Sequence, residues 1–186
     1  MILQDSIKKY LIRLQLKGQS EATRKNVGFH ANAFKTWLMN SYSIEDTRFV
    51  RKFHIQSYQK YIGLECDYSP AYINQKAIAV NSLFKYLKKE GEAMQDLDFL
   101  ESVKVPQRLP KVISMEQYDQ IRSSISLIDE KGFRNYTIIT LFMSSGIRVG
   151  GLSRLKVSDV NLDDKTLQVI GKGNKERLAV VGEQCK

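Results

Sequence analysis

Two cationic side chains near the end of the chain sit where phosphate chemistry is possible. Arg148 comes just after a glycine break, Gly146, where a new helix is expected to begin, so its guanidinium and the free backbone N–H groups beside it can converge on one anion. Lys172 lies between Gly171 and Gly173, which permit a tight turn and leave the lysine at its tip. Taken singly, Arg148 reads as a solvated surface arginine and Lys172 as ordinary hairpin chemistry. As a pair they offer two fixed positive charges suited to gripping a phosphodiester. Such a pair calls for a nucleophile, yet every tyrosine precedes Arg148, and no His, Trp or Tyr follows Lys172.

The charge balance favours the same class of partner. Lys and Arg outnumber Asp and Glu by 29 to 20 in 186 residues, a formal net charge of +9 that points to a polyanion. The excess is shared, with 16 basic against 11 acidic residues up to Val105 and 13 against 9 from Pro106 onward, so there is no separate basic tail. With 42% hydrophobic residues and three prolines, the chain is expected to fold. Cys66, Cys185, His30 and His54 show no disulfide framework and no metal-ligand spacing. Neither a third glycine after Gly171-Lys-Gly173 nor a Gly-Lys-Ser/Thr loop is present, so no nucleotide cofactor is expected. Asp159, Asp163, Asp164 and Glu176 are spaced as strand ends and a turn, not as a metal pair. The start lacks the order of a signal peptide and no run approaches a membrane span, so a cytoplasmic protein is expected.

Helical periodicity fills the first hundred residues. Ile7, Tyr10, Leu11 and Leu14 form one stripe, ended by Gly18. A second runs from a Ser20 cap through Val27, Ala31, Phe34 and Leu38, widened by Phe29, Ala33 and Trp37. Phe49, Phe53, Tyr58 and Ile62 suggest a third, and a fourth follows the Ser69-Pro70 cap through Ile73, Ala77, Val80, Phe84 and Leu87. The pattern fades from Glu92 to Pro110, which reads as an extended linker carrying Arg108 and Lys111. Ser114-Met-Glu-Gln117 fits a capping box, and Tyr136 to Met143 is apolar enough for a central buried helix ended by Gly146. Past Leu155 the period turns to alternation, predicting three short antiparallel strands around Val157 to Val160, Thr166 to Ile170 and Leu178 to Val181.

The segments Ser145-Gly-Ile-Arg148, Leu152-Ser-Arg-Leu-Lys-Val-Ser-Asp-Val160 and Val169-Ile-Gly-Lys-Gly-Asn-Lys-Glu-Arg177 together resemble the tyrosine recombinases, the phage integrases and Xer-like resolvases. The resemblance covers the whole chain. It implies a mainly α protein: a SAM-like core-binding domain of four to five helices over 1–105, then over 106–186 the first part of an α-rich catalytic domain with a three-stranded antiparallel sheet. It places Arg148 on the non-bridging oxygens of the scissile phosphate and Lys172 as the general acid for the leaving 5′ oxygen. On that chemistry the cations stand where other phosphoryl-transfer enzymes use metal ions. The partner implied is double-stranded DNA, with protomers paired on each site and a tetrameric synapse in the full-length family.

For DNA contacts the resemblance points to Thr23, Arg24 and Lys25 near one helix start and to Tyr72, Asn74, Gln75 and Lys76 near another, since the family lays helices of this domain in the major groove. Lys175, Arg177, Arg108 and Lys111 are phosphate candidates. The family also requires a His-x-x-Arg motif and a late tyrosine, which this sequence does not contain, and an acidic residue where Gly151 stands. A DNA-binding portion of a recombinase, inactive in strand cleavage by itself, is therefore the expectation. The alternatives are a naturally short, non-catalytic DNA-binding relative that regulates recombination and a helical protein-interaction module.

Overall fold

The structure is a computed structural model that describes residues 2–93, 99–171, 173 and 175–182. Lys172 and Cys185 lie outside the described residues. The chain divides into two compact units, Met1–Arg108 and Leu109–Lys186. Among the described residues no helix is long and apolar enough to cross a membrane.

The first unit is built from α1 (Leu3–Leu16), α2 (Glu21–Tyr42), a 3-10 turn (Thr47–Phe49), α3 (Lys52–Lys60) with a π turn after it (Tyr61–Glu65), and α4 (Pro70–Lys89). The caps are those the sequence announces. Ser20 Oγ accepts from Thr23 N at 3.2 Å and Ser69 Oγ from Tyr72 N at 3.3 Å, satisfying amides that the first helical turn leaves free. Leu3, Ile7, Phe34, Leu38, Tyr58, Val80, Leu83, Phe84 and Leu87 are among the buried side chains of one core. Phe34 stands edge-on to Tyr58 and Phe84, with centroids 4.8 and 5.6 Å away.

Three aromatic positions of the expected stripes are not core. Phe29, Phe49 and Phe53 are 63%, 59% and 60% exposed. Phe49 belongs to the 3-10 turn before α3, and Phe53 lies off the Ile55, Tyr58, Ile62 face that α3 and its π turn bury. Phe29 similarly lies off the face of α2 formed by His30, Ala31, Phe34 and Leu38.

The linker begins later than its composition suggests. Asn81 exchanges two 2.8 Å hydrogen bonds with Leu100, donating to its carbonyl and accepting from its N–H. Asn74, two turns earlier on α4, does the same with Val103, again at 2.8 Å in both directions. Gln59 accepts from Glu101 N at 3.0 Å. Residues 100–103 are thus held on the first unit, and the exposed chain without regular structure runs on to the Ser114 cap.

The second unit holds α5 (Met115–Ser123), α6 (Glu130–Ser145), α7 (Val149–Leu152), a 3-10 turn (Val157–Asp159) and three strands, β1 (Val160–Asn161), β2 (Thr166–Ile170) and β3 (Glu176–Val180). The strands form an antiparallel sheet in the order β1-β2-β3, with Leu167 opposite Ala179 and Val169 opposite Arg177. The expected capping box is formed at α5, where Ser114 and Gln117 each accept from the other's backbone N–H. Ile147, Leu167, Val169 and Ala179 make a small core, with Leu141, Phe142 and Leu152 packed on it.

α6 is not the surrounded helix that its composition predicts. Only Thr140 is buried along it, and Phe133 and Met143 are 63% and 40% exposed. The described elements of this unit bury Thr140, half-bury Tyr136 to Ile139, Leu141 and Phe142, and leave Phe133 and Met143 exposed.

Candidate phosphate-binding cleft

Gly146 creates the turn on which the site depends. It closes α6 with φ +59, a left-handed conformation that costs a glycine little, and its N–H returns to Phe142 O at 3.1 Å. The buried Ile147 anchors the next residue, and Arg148 then adopts an extended backbone as the N-cap of α7. Its carbonyl accepts from Gly151 N and Leu152 N at 2.8 and 3.0 Å, while its exposed guanidinium makes no hydrogen bond or ion pair with the described residues.

The β2–β3 hairpin stands beside this turn. Gly171 N donates to Lys175 O at 2.7 Å to close the hairpin, and Gly173 has φ +78, the glycine geometry the sequence required. Arg148, Gly150, Gly151, Arg154, Val169, Ile170, Gly171 and Arg177 line a cleft of about 270 Å³. Arg154 Nη2 donates to Ile170 O at 2.9 Å and Arg177 Nη2 to Gly146 O at 3.4 Å. Among the described residues the lining contains three arginines and no carboxylate, so it attracts anions. Lys172 is the chain neighbour of Gly171, which lines the cleft.

The absence of an acidic residue at Gly151 has a packing reason. Gly151 is buried, and a Cβ built there lies 2.7 Å from Val169 Cγ1, closer than real contacts allow. Its glycine lets α7 seat on β2, so any side chain at this position must displace Val169.

The structure brings together Arg148 and Arg177 of the sequence-predicted residues; Lys175 is exposed at the hairpin base. Arg154 was missed. Its only sequence signal was its place in the Leu152 to Val160 motif, and nothing in that motif tells that its side chain folds back toward the hairpin. Arg108 and Lys111 are exposed in chain without regular structure.

In the first unit the candidates separate into accessible and occupied groups. At the start of α2 the exposed Thr23 shares a 2.8 Å hydrogen bond with Ser20 and the exposed Lys25 pairs with Glu21 at 2.7 Å, while the half-buried Arg24 reaches Gln15 at 2.7 Å. Gln75 is exposed on α4. Asn74 is a correction, because its half-buried amide is turned onto the Val103 backbone and held there through one donor and one acceptor site, so it is not the free adenine reader expected. Lys76 is another, being only 4% exposed, with its ammonium 4.9 and 5.1 Å from the Tyr68 and Tyr72 ring centres. Burial holds its pKa below the usual lysine value. Tyr72 is half-buried, edge-on to His30 and Tyr68.

His30 itself is buried, and among the described residues neither ring nitrogen makes a well-formed hydrogen bond, the nearby Gln75 side chain acting only weakly on the ring. Burial first, and the charge of Lys76 second, push its pKa below the ordinary histidine value. It is a packing residue of the aromatic cluster, not a titrating group of the cleft.

Residues 111–185 match the phage integrase family. The chain is 34% identical over 151 residues to tyrosine recombinase XerD of Vibrio vulnificus strain YJ016, covering 80% of this chain and 48% of the relative. It is 30% identical over 173 residues to XerD of Haemophilus influenzae, covering 91% and 56%. The chain spans about half the length of the curated relatives it matches. Its fold is similar to that of a lambda integrase tetramer bound to a Holliday junction, with a TM-score of 0.67, 17% identity, and 97% of this chain and 51% of that one covered. A Tn1549 transposon integrase in complex with circular intermediate DNA gives a TM-score of 0.66 at 13% identity, over 100% of this chain and 62% of the other. The chain belongs to the tyrosine recombinase family.

Proposed function

We propose that this chain is the DNA-binding portion of a site-specific tyrosine recombinase, with residues 1–105 as the core-binding domain and 106–186 as the first part of the catalytic domain. Double-stranded DNA is the substrate. The observation that carries this reading is the cleft itself, in which, among the described residues, Arg148 makes no ion pair and stands with Arg154 and Arg177 without a carboxylate, beside the glycine hairpin. Arg148 takes the non-bridging oxygens of the scissile phosphate and stabilises charge that grows in the transition state, an effect of about 2.7 to 4 kcal/mol for a single donor of this kind. Lys172 delivers a proton to the leaving 5′ oxygen. Thr23, Arg24, Lys25 and Gln75 contact the duplex from the helical unit, and Lys175, Arg177, Arg108 and Lys111 contact its backbone. Protomers of the complete enzyme assemble as a tetramer on DNA, in the cytoplasm and without a cofactor.

Strand cleavage needs a tyrosine that attacks the phosphorus and leaves a 3′-phosphotyrosyl bond, and no tyrosine follows Arg148 in this sequence. A second reading, DNA binding without catalysis, is favoured by Gly151, where the family's acidic residue would have to push Val169 aside. Incubating the 186-residue chain with duplex DNA and with a nicked suicide substrate tests the proposal. A reversible complex without covalent adduct is expected. Failure to shift duplex DNA at low salt refutes the proposal, and a covalent adduct refutes the claim that the chain carries no nucleophile.

A further inference from the structure

Two glycines and an arginine just past Arg148 make a feature that the family motif does not specify. Gly150 leaves the exposed surface of α7 without a side chain, and the Arg154 guanidinium lies over it, while Gly151 is buried against Val169. A Cβ on Gly150 would lie 3.9 and 4.0 Å from the two terminal nitrogens of Arg154. Arg154 Nη2 donates to the Ile170 carbonyl at 2.9 Å, which ties the end of α7 to the end of β2. That tie uses one of five N–H donors, and the side chain remains exposed on the cleft shared with Arg148 and Arg177. Three like charges without a carboxylate among them repel one another, and an anion in their midst relieves that repulsion.

We infer that Arg154 is a phosphate-binding residue of this cleft, a second guanidinium beside Arg148 held in place by the Ile170 carbonyl. The inference rests on the reading of the cleft as a phosphodiester site. It assigns the ligand as the oxygens of one DNA phosphate or of its immediate neighbour, since Arg148 and Arg154 line the same small cavity. The two glycines then have separate uses: Gly151 seats α7 against Val169, and Gly150 leaves open the surface over which the Arg154 guanidinium lies.

The test is equilibrium binding of one duplex DNA by the full chain across a salt series, with Arg154→Gln, Arg154→Lys and Arg148→Gln. Arg154→Gln is expected to weaken binding about tenfold and to reduce the steepness of the log affinity against log salt plot by about 0.9, the loss of one phosphate contact. Arg154→Lys keeps the charge and the slope and loses less affinity. Thermal unfolding of each variant separates lost contact from lost fold, and Arg154→Lys, which retains a donor for Ile170, decides the case if Arg154→Gln unfolds. Wild-type affinity and slope for Arg154→Gln, alongside weakened binding for Arg148→Gln, overturn the inference and leave the cleft standing. Absence of any effect from Arg148→Gln as well removes the phosphodiester reading and this inference with it.

Discussion

The two units bury their apolar residues to different degrees. In the first, helices close around Phe34, Leu38, Leu83 and Phe84, each almost wholly out of solvent. Glu92 helps to close the same unit, accepting from Lys9 at 3.5 Å on its side chain and from the Thr47 hydroxyl at 2.7 Å on its carbonyl. In the second, the buried cluster among the described residues has four side chains, with Tyr118 buried apart from it, while Val157, Leu162, Leu178 and Val180 are 92%, 74%, 69% and 68% exposed. Leu178 and Val180 flank the buried Ala179 along β3, so the face of that strand opposite Ala179 carries two exposed apolar side chains. The unit with the stronger chemical motif has the weaker core. Cationic side chains on short elements need only local turns to be placed, whereas stability needs area, and burying apolar area is worth about 25 cal/mol per Å².

The largest expected effect breaks the well-buried unit. Phe34→Ala removes a ring that contacts Tyr58, Phe84 and Trp37 and should cost about 3 to 5 kcal/mol, measured by urea unfolding followed through circular dichroism. Backbone amides of α2 and α4 should exchange with solvent more slowly than those of α6 and β3 in the unaltered chain. Equal protection in both units would contradict the contrast drawn between them.

Next in size is Gly151→Glu, which restores the acidic type but forces Val169 aside and should destabilise the second unit by about 1 to 3 kcal/mol. Unchanged stability would mean that Val169 moves without strain. Asn74→Ala leaves the Val103 N–H and carbonyl without their partner and should cost about 1 kcal/mol, with faster exchange of the Val103 amide as its local signature.

The smallest effect is a pH dependence confined to the first unit. The folded state depresses the pKa of His30, so the unfolded chain takes up the proton at higher pH. The associated stability is complete above about 6.5, the unfolded histidine value, and is lost as pH falls through the lower folded value. Unfolding at pH 7.5 and pH 5 should therefore differ less in His30→Gln than in the unaltered chain. An identical difference would show that other groups carry the acid sensitivity.

Much of this was legible in sequence because the signals were local. Ser20, Ser69 and Ser114 marked helix starts through their own hydroxyls, Gly146 and Gly173 marked left-handed backbone, and alternation marked Thr166 to Ile170 as a strand. What failed depended on contacts distant in sequence. Asn74 has the chemistry of a base reader, but Val103, 29 residues away, holds its amide through one donor and one acceptor site. Lys76 looked like a solvated cation until Tyr68 and Tyr72 closed over it. The apolar stretch from Tyr136 to Met143 announced burial, yet periodicity cannot tell how much of a helix its neighbours will cover. Arg154 was overlooked for the same reason, since its partner Ile170 is 16 residues on.

The central claim is that cationic side chains of this chain grip DNA through its phosphates. The most direct measurement is the affinity of the chain for duplex DNA between 50 and 200 mM salt, compared with that of Arg148→Gln. A steep fall with salt is predicted, with a log–log slope of about −0.9 for each phosphate neutralised and a shallower slope in the variant. Affinity that does not respond to salt, or a slope that Arg148→Gln leaves unchanged, would contradict it.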